Sequence, residues 1–227
     1  IYNGNEWSET RLVSSDPERD DNFGGTVAIS GNTIVVGARG GRGNLGEAYV
    51  FERTASGWPE TENKKLRASS ISGDFGKLVA ISGNTIAVVG RAECVYVFEK
   101  RWNGWPETET KKLRTSDASS AAENGWTLES VAISSDGNTI VAGSVTSPNG
   151  SSAYVFEKIA SGWPETETKK LTASDSGVIN YFGQSVAISG DVIVVGDYLT
   201  SSAYVFEKRR NGWQATETRS EEHTSEL

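Results

Sequence analysis

The 227-residue chain has no methionine, one cysteine, one histidine and five prolines. Each shortage excludes something. A lone cysteine, Cys94, cannot close an internal disulfide, so no disulfide framework holds the chain and the redox compartment stays open. Cys94 lies in the strand-like run Glu93-Cys94-Val95-Tyr96-Val97-Phe98 and reads as a small buried hydrophobe. The single histidine, His223, belongs to an aberrant C-terminal stretch; without it, Ser-His-Asp, Cys-His and histidine-ligated metal sites are excluded. Methionine is missing even at position 1, so the chain reads as processed or as a fragment, with no signal peptide to recognise. No apolar run approaches the ~18 residues of a membrane-spanning helix, and no membrane span is expected. Acidic residues outnumber basic ones 30 to 22, a net charge of −8. Such a balance repels phosphate backbones, so nucleic acid is not an expected partner. Apolar stripes at i, i+3, i+4, i+7 are missing too, which leaves little room for helix.

What the chain does contain is repetition. Val-Ala-Ile-Ser recurs at Val27, Val79, Val131 and Val186, with spacings of 52, 52 and 55 residues. Each copy leads through Gly-Asn-Thr-Ile or Gly-Asp-Val-Ile to a short apolar run ending in Gly37, Gly90, Gly143 or Gly196. Tyr-Val-Phe-Glu follows at Tyr49, Tyr96, Tyr154 and Tyr204, then Gly-Trp at Trp58, Trp105, Trp163 and Trp213. Three copies continue to Lys-Lys-Leu. A fixed period near fifty residues marks a repeat architecture.

Each copy reads as four strands: Val-Ala-Ile-Ser, the Thr-Ile-Val-Val-Gly type, Ala-Tyr-Val-Phe-Glu, and an outer strand from the Trp to the Leu. Gly31-Asn32 and its counterparts suit a tight hairpin between the first two. The second strand is apolar at consecutive positions and so is covered on both faces, whereas the fourth alternates Glu, Thr and Lys after a proline, as an outer edge does. A sheet dry at one edge and wet at the other is a propeller blade. The expected fold is therefore all-β, a β-propeller of four-stranded antiparallel blades. Residues 22–71, 72–120, 121–177 and 178–218 are blades 1 to 4, the last incomplete, and 1–21 are the outer strand and linker of a preceding blade. The visible blades are expected to belong to a larger ring, with a closed ring of four blades as the alternative.

The motif resembles the FG-GAP repeat, the blade unit of integrin α-subunit propellers and of many bacterial surface proteins. Phe23-Gly24, Phe75-Gly76 and Phe182-Gly183 carry the likeness, together with the Val-Ala-Ile-Ser and Val-Val-Gly segments. Copy three has Trp126-Thr127-Leu128 where Phe-Gly would stand. The resemblance covers residues 1 to about 218 and implies a ring of seven blades and an extracellular or cell-surface location. Integrin-type blades often hold calcium between their first two strands. Here that connection offers at most one carboxylate, such as Asp136, against the six or more oxygens calcium takes. No cofactor is expected; the carboxylates available to calcium elsewhere are Asp16, Asp20 and Asp21. Residues Arg219-Ser220-Glu221-Glu222-His223-Thr224-Ser225-Glu226-Leu227 resemble a translated sequencing adapter and are set aside as non-native.

Function is sought in the loops. The gap from the glycine of the second strand to the tyrosine of the third varies over 11, 5, 10 and 7 residues, and variable loops on a rigid frame are where recognition is placed. The face carrying the second-to-third-strand and blade-to-blade loops presents Arg39, Arg42, Asn44, Asp74, Arg91, Asp117, Trp126, Asn149, Asn180, Tyr181, Asp197 and Tyr198. The repeated tryptophans read as structural wedges. The expected function is a non-catalytic recognition or adhesion module that binds a protein or glycan. A structural, self-assembling subunit is the alternative, and a piece of a larger propeller enzyme the third reading.

Overall fold

The computed structural model describes residues 7–17, 20–40, 45–70, 73–90, 94–118, 128–145, 151–174 and 181–216. Four sheets of four strands follow one another, and no helix occurs among the described residues. Blade 1 comprises β1 (Thr26–Ser30), β2 (Thr33–Ala38), β3 (Glu47–Glu52) and β4 (Lys64–Leu66). Blade 2 comprises β5 (Leu78–Ser82), β6 (Thr85–Gly90), β7 (Cys94–Glu99) and β8 (Lys111–Arg114). Blade 3 comprises β9 (Leu128–Ile133), β10 (Thr139–Ser144), β11 (Ser152–Glu157) and β12 (Lys169–Leu171). Blade 4 comprises β13 (Ser185–Ser189), β14 (Val192–Asp197), β15 (Ser202–Arg209) and β16 (Gly212–Trp213). Within each sheet the strands run antiparallel in chain order.

The fourth strand is shorter than the sequence suggests. In blades 1 to 3 it is confined to the Lys-Lys-Leu segment, which pairs with the start of the third strand (Ala48↔Leu66, Ala153↔Leu171). Of the preceding tryptophans, Trp105 and Trp163 pack in the joints with the blade before them and Trp58 packs on the aromatic face of blade 1, whereas in blade 4 the tryptophan itself, Trp213, lies in the short fourth strand. The first hairpin is also simpler than expected: Gly31 takes φ +55° while Asn32 stays at negative φ. That is the type II′ pattern, in which only the first central residue must be glycine.

Blades stack face to face, and the first strands β1, β5, β9 and β13 neighbour one another in turn. Each joint has two unlike halves. One blade contributes an aliphatic face, Val35, Ala48, Val50 and Leu66 in blade 1, and the next an aromatic one, Phe75, Tyr96, Phe98 and Trp105 in blade 2. The pattern recurs with Val97 and Leu113 against Tyr154, Phe156 and Trp163, and with Val155 and Leu171 against Phe182, Tyr204, Phe206 and Trp213. The phenylalanine of Phe-Gly meets the tyrosine ring edge-on, with centroids 5.3 Å apart in both Phe75–Tyr96 and Phe182–Tyr204. The glycines have their own reason. A Cβ on Gly37 would lie 2.2 Å from the Gly76 carbonyl oxygen, and one on Gly143 would lie 2.0 Å from that of Gly183. The Phe-Gly turn of each blade thus crosses the second strand of its predecessor at a distance only glycine permits. In blade 3, Leu128 fills the phenylalanine slot, fully buried, and a register shift opposite Ser144 absorbs the change.

Candidate functional site

Antiparallel order puts the first-to-second and third-to-fourth strand turns on one face and the remaining loops on the other. On that loop face the blades reuse one polar device. Ser116 in the linker after blade 2 bonds Glu167, as Ser69 bonds Glu109 and Ser15 bonds Glu62. The next residue is Asp117, and its carboxylate accepts bonds from Tyr154 Oη (2.9 Å) and Lys170 Nζ (2.5 Å). In blade 1, Asp16 pairs with Lys65, and Glu47 accepts from Tyr49 Oη and Arg67 Nε. Burial, then the bond to Glu47, pushes the Tyr49 hydroxyl well above its usual pKa. Burial acts to lower Lys65, but the pairing with Asp16 outweighs it and the ammonium is held above its ordinary value. Asp16, Asp21, Glu47, Tyr49 and Arg67 line a polar cavity of about 220 Å³. In blade 2, Ser70 replaces the aspartate. Lys112 reaches Ser70 Oγ at 3.3 Å and stands 5.0 Å over the Tyr96 ring, and Tyr96 Oη is buried with no partner.

The structure brings three of the sequence-selected residues together on blade 4. Asp197 is almost fully buried at the end of β14, and its Oδ1 accepts bonds from the backbone N–H groups of Tyr181 (3.1 Å), Leu199 (3.0 Å) and Thr200 (3.3 Å). One carboxylate therefore ties the incoming loop to the β14–β15 loop. The rings of Tyr181 and Tyr198 lie 4.6 Å apart at 46°, and Tyr198 is well exposed. The hydrogen bond with Tyr181 raises the pKa of Tyr198. Asp197 Oδ2 is buried without a partner.

The remaining sequence-selected residues do not join this group. Asp117 serves blade 3, Asp74 sits at φ +57° in the turn before Phe75, and Arg39 is exposed at the end of β2. Arg42, Asn44, Arg91, Trp126, Asn149 and Asn180 lie outside the described residues. Asp16 and Asp21 share the blade 1 cavity, with Asp16 already paired to Lys65, whereas Asp20 sits in a left-handed turn at φ +66°. Among the described residues no three His, Cys, Asp or Glu side chains gather as a metal set, and no helix is long and apolar enough to cross a membrane. The Lys–Tyr–Asp device was missed in the sequence. Its signal was there, in the constant second lysine of Lys-Lys-Leu and the constant tyrosine of the third strand.

Radially graded four-stranded sheets joined through unlike faces define a β-propeller. Within that class, the FG-GAP repeat model matches residues 7–51 and 165–206, and the chain carries FG-GAP repeats. No curated protein matches it. Among solved structures, a candidate 6-phosphogluconolactonase from Bacteroides uniformis aligns over 86% of this chain and 56% of its own, at 11% identity and TM-score 0.62. Hsv2 of Kluyveromyces lactis aligns over 84% and 59%, at 16% identity and TM-score 0.54. The periplasmic gluconolactonase PpgL of Pseudomonas aeruginosa aligns over 86% and 56%, at 15% identity and TM-score 0.54. The chain thus spans under three fifths of each of these structures. At such identities the likeness is one of fold. It does correct one expectation, that the chain is not an enzyme. Two of these neighbours are named for lactone hydrolysis, so this blade architecture serves hydrolases too. The expectation rested on setting His223 aside, which bears only on histidine-dependent chemistry.

Proposed function

We propose that the loop face is a recognition surface for a protein or glycan ligand, anchored on blade 4 by Tyr181, Asp197 and Tyr198. The observation that carries this reading is the convergence of the exposed Tyr198 and the half-buried Tyr181 with a buried carboxylate that fixes both loops. Aromatic rings with a polar tip offer large contact area at low entropic cost, and stacking suits sugar rings and peptide side chains alike. Asp197 is a positioning residue here, because it acts on the loops through their backbone N–H groups. The reading places the protein outside the cell or at its surface and requires no cofactor. Probing the purified chain against glycan and peptide arrays tests it: Tyr198→Ala should abolish the strongest binding, and Asp197→Asn should weaken it. Binding that survives Tyr198→Ala unchanged overturns the anchor.

A second reading follows from the names of the structural neighbours. As part of a larger propeller, the chain would contribute to hydrolysis of a sugar lactone. Turnover of gluconolactone or its 6-phosphate by the purified chain, lost in a loop-face variant, would establish this reading, and no turnover above buffer would remove it for this chain.

A further inference from the structure

Blade 2 keeps the cations of the loop-face device and lacks its anions. Four residues beyond Leu12, Leu66, Leu113 and Leu171 stand Asp16, Ser70, Asp117 and Asp175, the last outside the described residues. Three linkers thus supply an aspartate where blade 2 receives a serine. At the start of the third strand, Glu47 of blade 1 is matched by Cys94 of blade 2. The basic partners stay. Lys112 stands where Lys65 and Lys170 do, and Arg114 stands where Arg67 does, opposite Cys94 in the β7–β8 ladder. In blade 1, Lys65 pairs with Asp16 and Arg67 with Glu47; in blade 3, Lys170 pairs with Asp117. Neither Lys112 nor Arg114 forms an ion pair among the described residues.

The tyrosine registers the difference. Tyr154 Oη donates to Asp117 and Tyr49 Oη to Glu47, whereas Tyr96 Oη, on a side chain with no exposed surface, has no partner. A buried donor without an acceptor carries its full desolvation penalty, and few native groups are left so. Lys112 Nζ lies 5.0 Å from the Tyr96 ring centroid, against 5.7 Å for Lys65 over Tyr49 and 6.0 Å for Lys170 over Tyr154. A carboxylate holds the ammonium away from the ring in blades 1 and 3. In blade 2 it sinks onto it.

Ser70 is exposed and Lys112 half-buried, so the space between them is reached from solvent. Ser70 also lines a cavity of about 170 Å³ where blades 1 and 2 meet, with Leu45, Ala68 and Phe75 on its apolar side and Arg67 and Glu47 on its polar side. The Glu47 carboxylate is already bonded by Arg67 and Tyr49.

We infer that blade 2 binds a small carboxylate from solution in the place that Asp117 takes in blade 3. One carboxylate oxygen accepts from Tyr96 Oη and Lys112 Nζ, as Asp117 Oδ2 does from Tyr154 and Lys170. The carbon chain turns into the cavity beside Ala68 and Phe75. Admitting the ligand requires Lys112 to lift from the Tyr96 ring to the distance its counterparts keep. Acetate carries the same heavy atoms as an aspartate side chain, so it restores in solution what Ser70 withholds. The site is built within blades 1 and 2 and does not rest on the Tyr181–Tyr198 anchor of blade 4.

The NMR signals of ring-labelled tyrosine test this in the purified 227-residue chain. Sodium acetate is the probe, with sodium chloride added to hold ionic strength constant. The signal that disappears in Tyr96→Phe should shift with acetate and saturate. Ser70→Asp supplies the carboxylate within the chain and should weaken the response more than about tenfold; Lys112→Gln should weaken it about tenfold, as loss of one charge-assisted hydrogen bond does. Conversely, Asp117→Ser gives blade 3 the arrangement of blade 2, and the Tyr154 signal should then answer to acetate too. Unshifted signals from the other tyrosines verify that each variant folds. No saturable shift of the Tyr96 signal, an equal shift with sodium chloride alone, or a response undiminished in both Ser70→Asp and Lys112→Gln overturns the inference.

Discussion

Blades 2 and 3 are built from the same strand motifs and differ in three places. Blade 2 fills its joint with Phe75 from a Phe-Gly turn; blade 3 uses Leu128 and a register shift. Tyr154 in blade 3 hands its hydroxyl proton's bond to Asp117, while Tyr96 in blade 2 has none. The first hairpin of blade 2 is tight, whereas that of blade 3 is widened by Ser135 and Asp136. The scaffold therefore depends on the apolar halves of the joints and tolerates polar variation at its rims.

The largest effects should come from the joint slot. Phe75→Ala should cost about 3–5 kcal/mol and Leu128→Ala about 2–5 kcal/mol, because neither slot can collapse between two packed sheets. Leu128→Phe should itself cost about 1–3 kcal/mol, since the shifted backbone leaves no room for a ring. Urea midpoints check all three, and a neutral Leu128→Phe would mean that the slots are equivalent after all.

Next come the tyrosines. Tyr154→Phe leaves Asp117 with a single strong donor and should cost about 1–2 kcal/mol, while Tyr96→Phe removes an orphaned hydroxyl and should be neutral or stabilising. Equal losses in the two variants would erase the contrast. Smaller again, Ser70→Asp should give Lys112 and Tyr96 the carboxylate that Lys170 and Tyr154 share, raising stability by about 0.5–1 kcal/mol. The gain should vanish in the Tyr96→Phe, Lys112→Ala background.

The smallest effect is one of pH. Bonds from the Ser134 hydroxyl and the Asn138 N–H hold the Asp136 carboxyl below its usual pKa. A depressed native pKa adds stability above the unfolded value of about 3.9, and that increment is lost as pH falls through the native value. Asp136→Asn should remove this part of the acid limb of a stability–pH curve; because the side chain is exposed, the change should be a few tenths of a kcal/mol. Blade 2 has no counterpart, so trimming its hairpin should leave the curve alone.

Much of this was readable in the chain. Consecutive apolar positions in Thr-Ile-Val-Val-Gly announced a strand buried on both faces, and Gly31 and its copies announced the hairpins. Phe-Gly was recognised as a marker, but its cause, a carbonyl passing within 2.2 Å of where a Gly37 Cβ would stand, depends on how two blades meet and has no one-dimensional trace. The sequence starts the fourth strand at Gly-Trp, which holds only for Gly212–Trp213 of blade 4; in blades 1 to 3 the strand begins at Lys64, Lys111 and Lys169, and Trp105 and Trp163 pack between sheets. Among candidate site residues, Tyr181, Asp197 and Tyr198 are selected by loop position alone, and their mutual contacts are visible only in the structure. The bond network at Asp117 went unseen because its members lie 37 and 53 residues apart.

That every blade bears one aliphatic and one aromatic face has an evolutionary corollary. Remove blade 2 and blades 1 and 3 still offer complementary surfaces; insert another copy and both new seams match. Unequal crossing-over in such a gene can change the array length without producing an ill-fitting junction, so blade number is free to drift while the chemistry of each junction stays fixed.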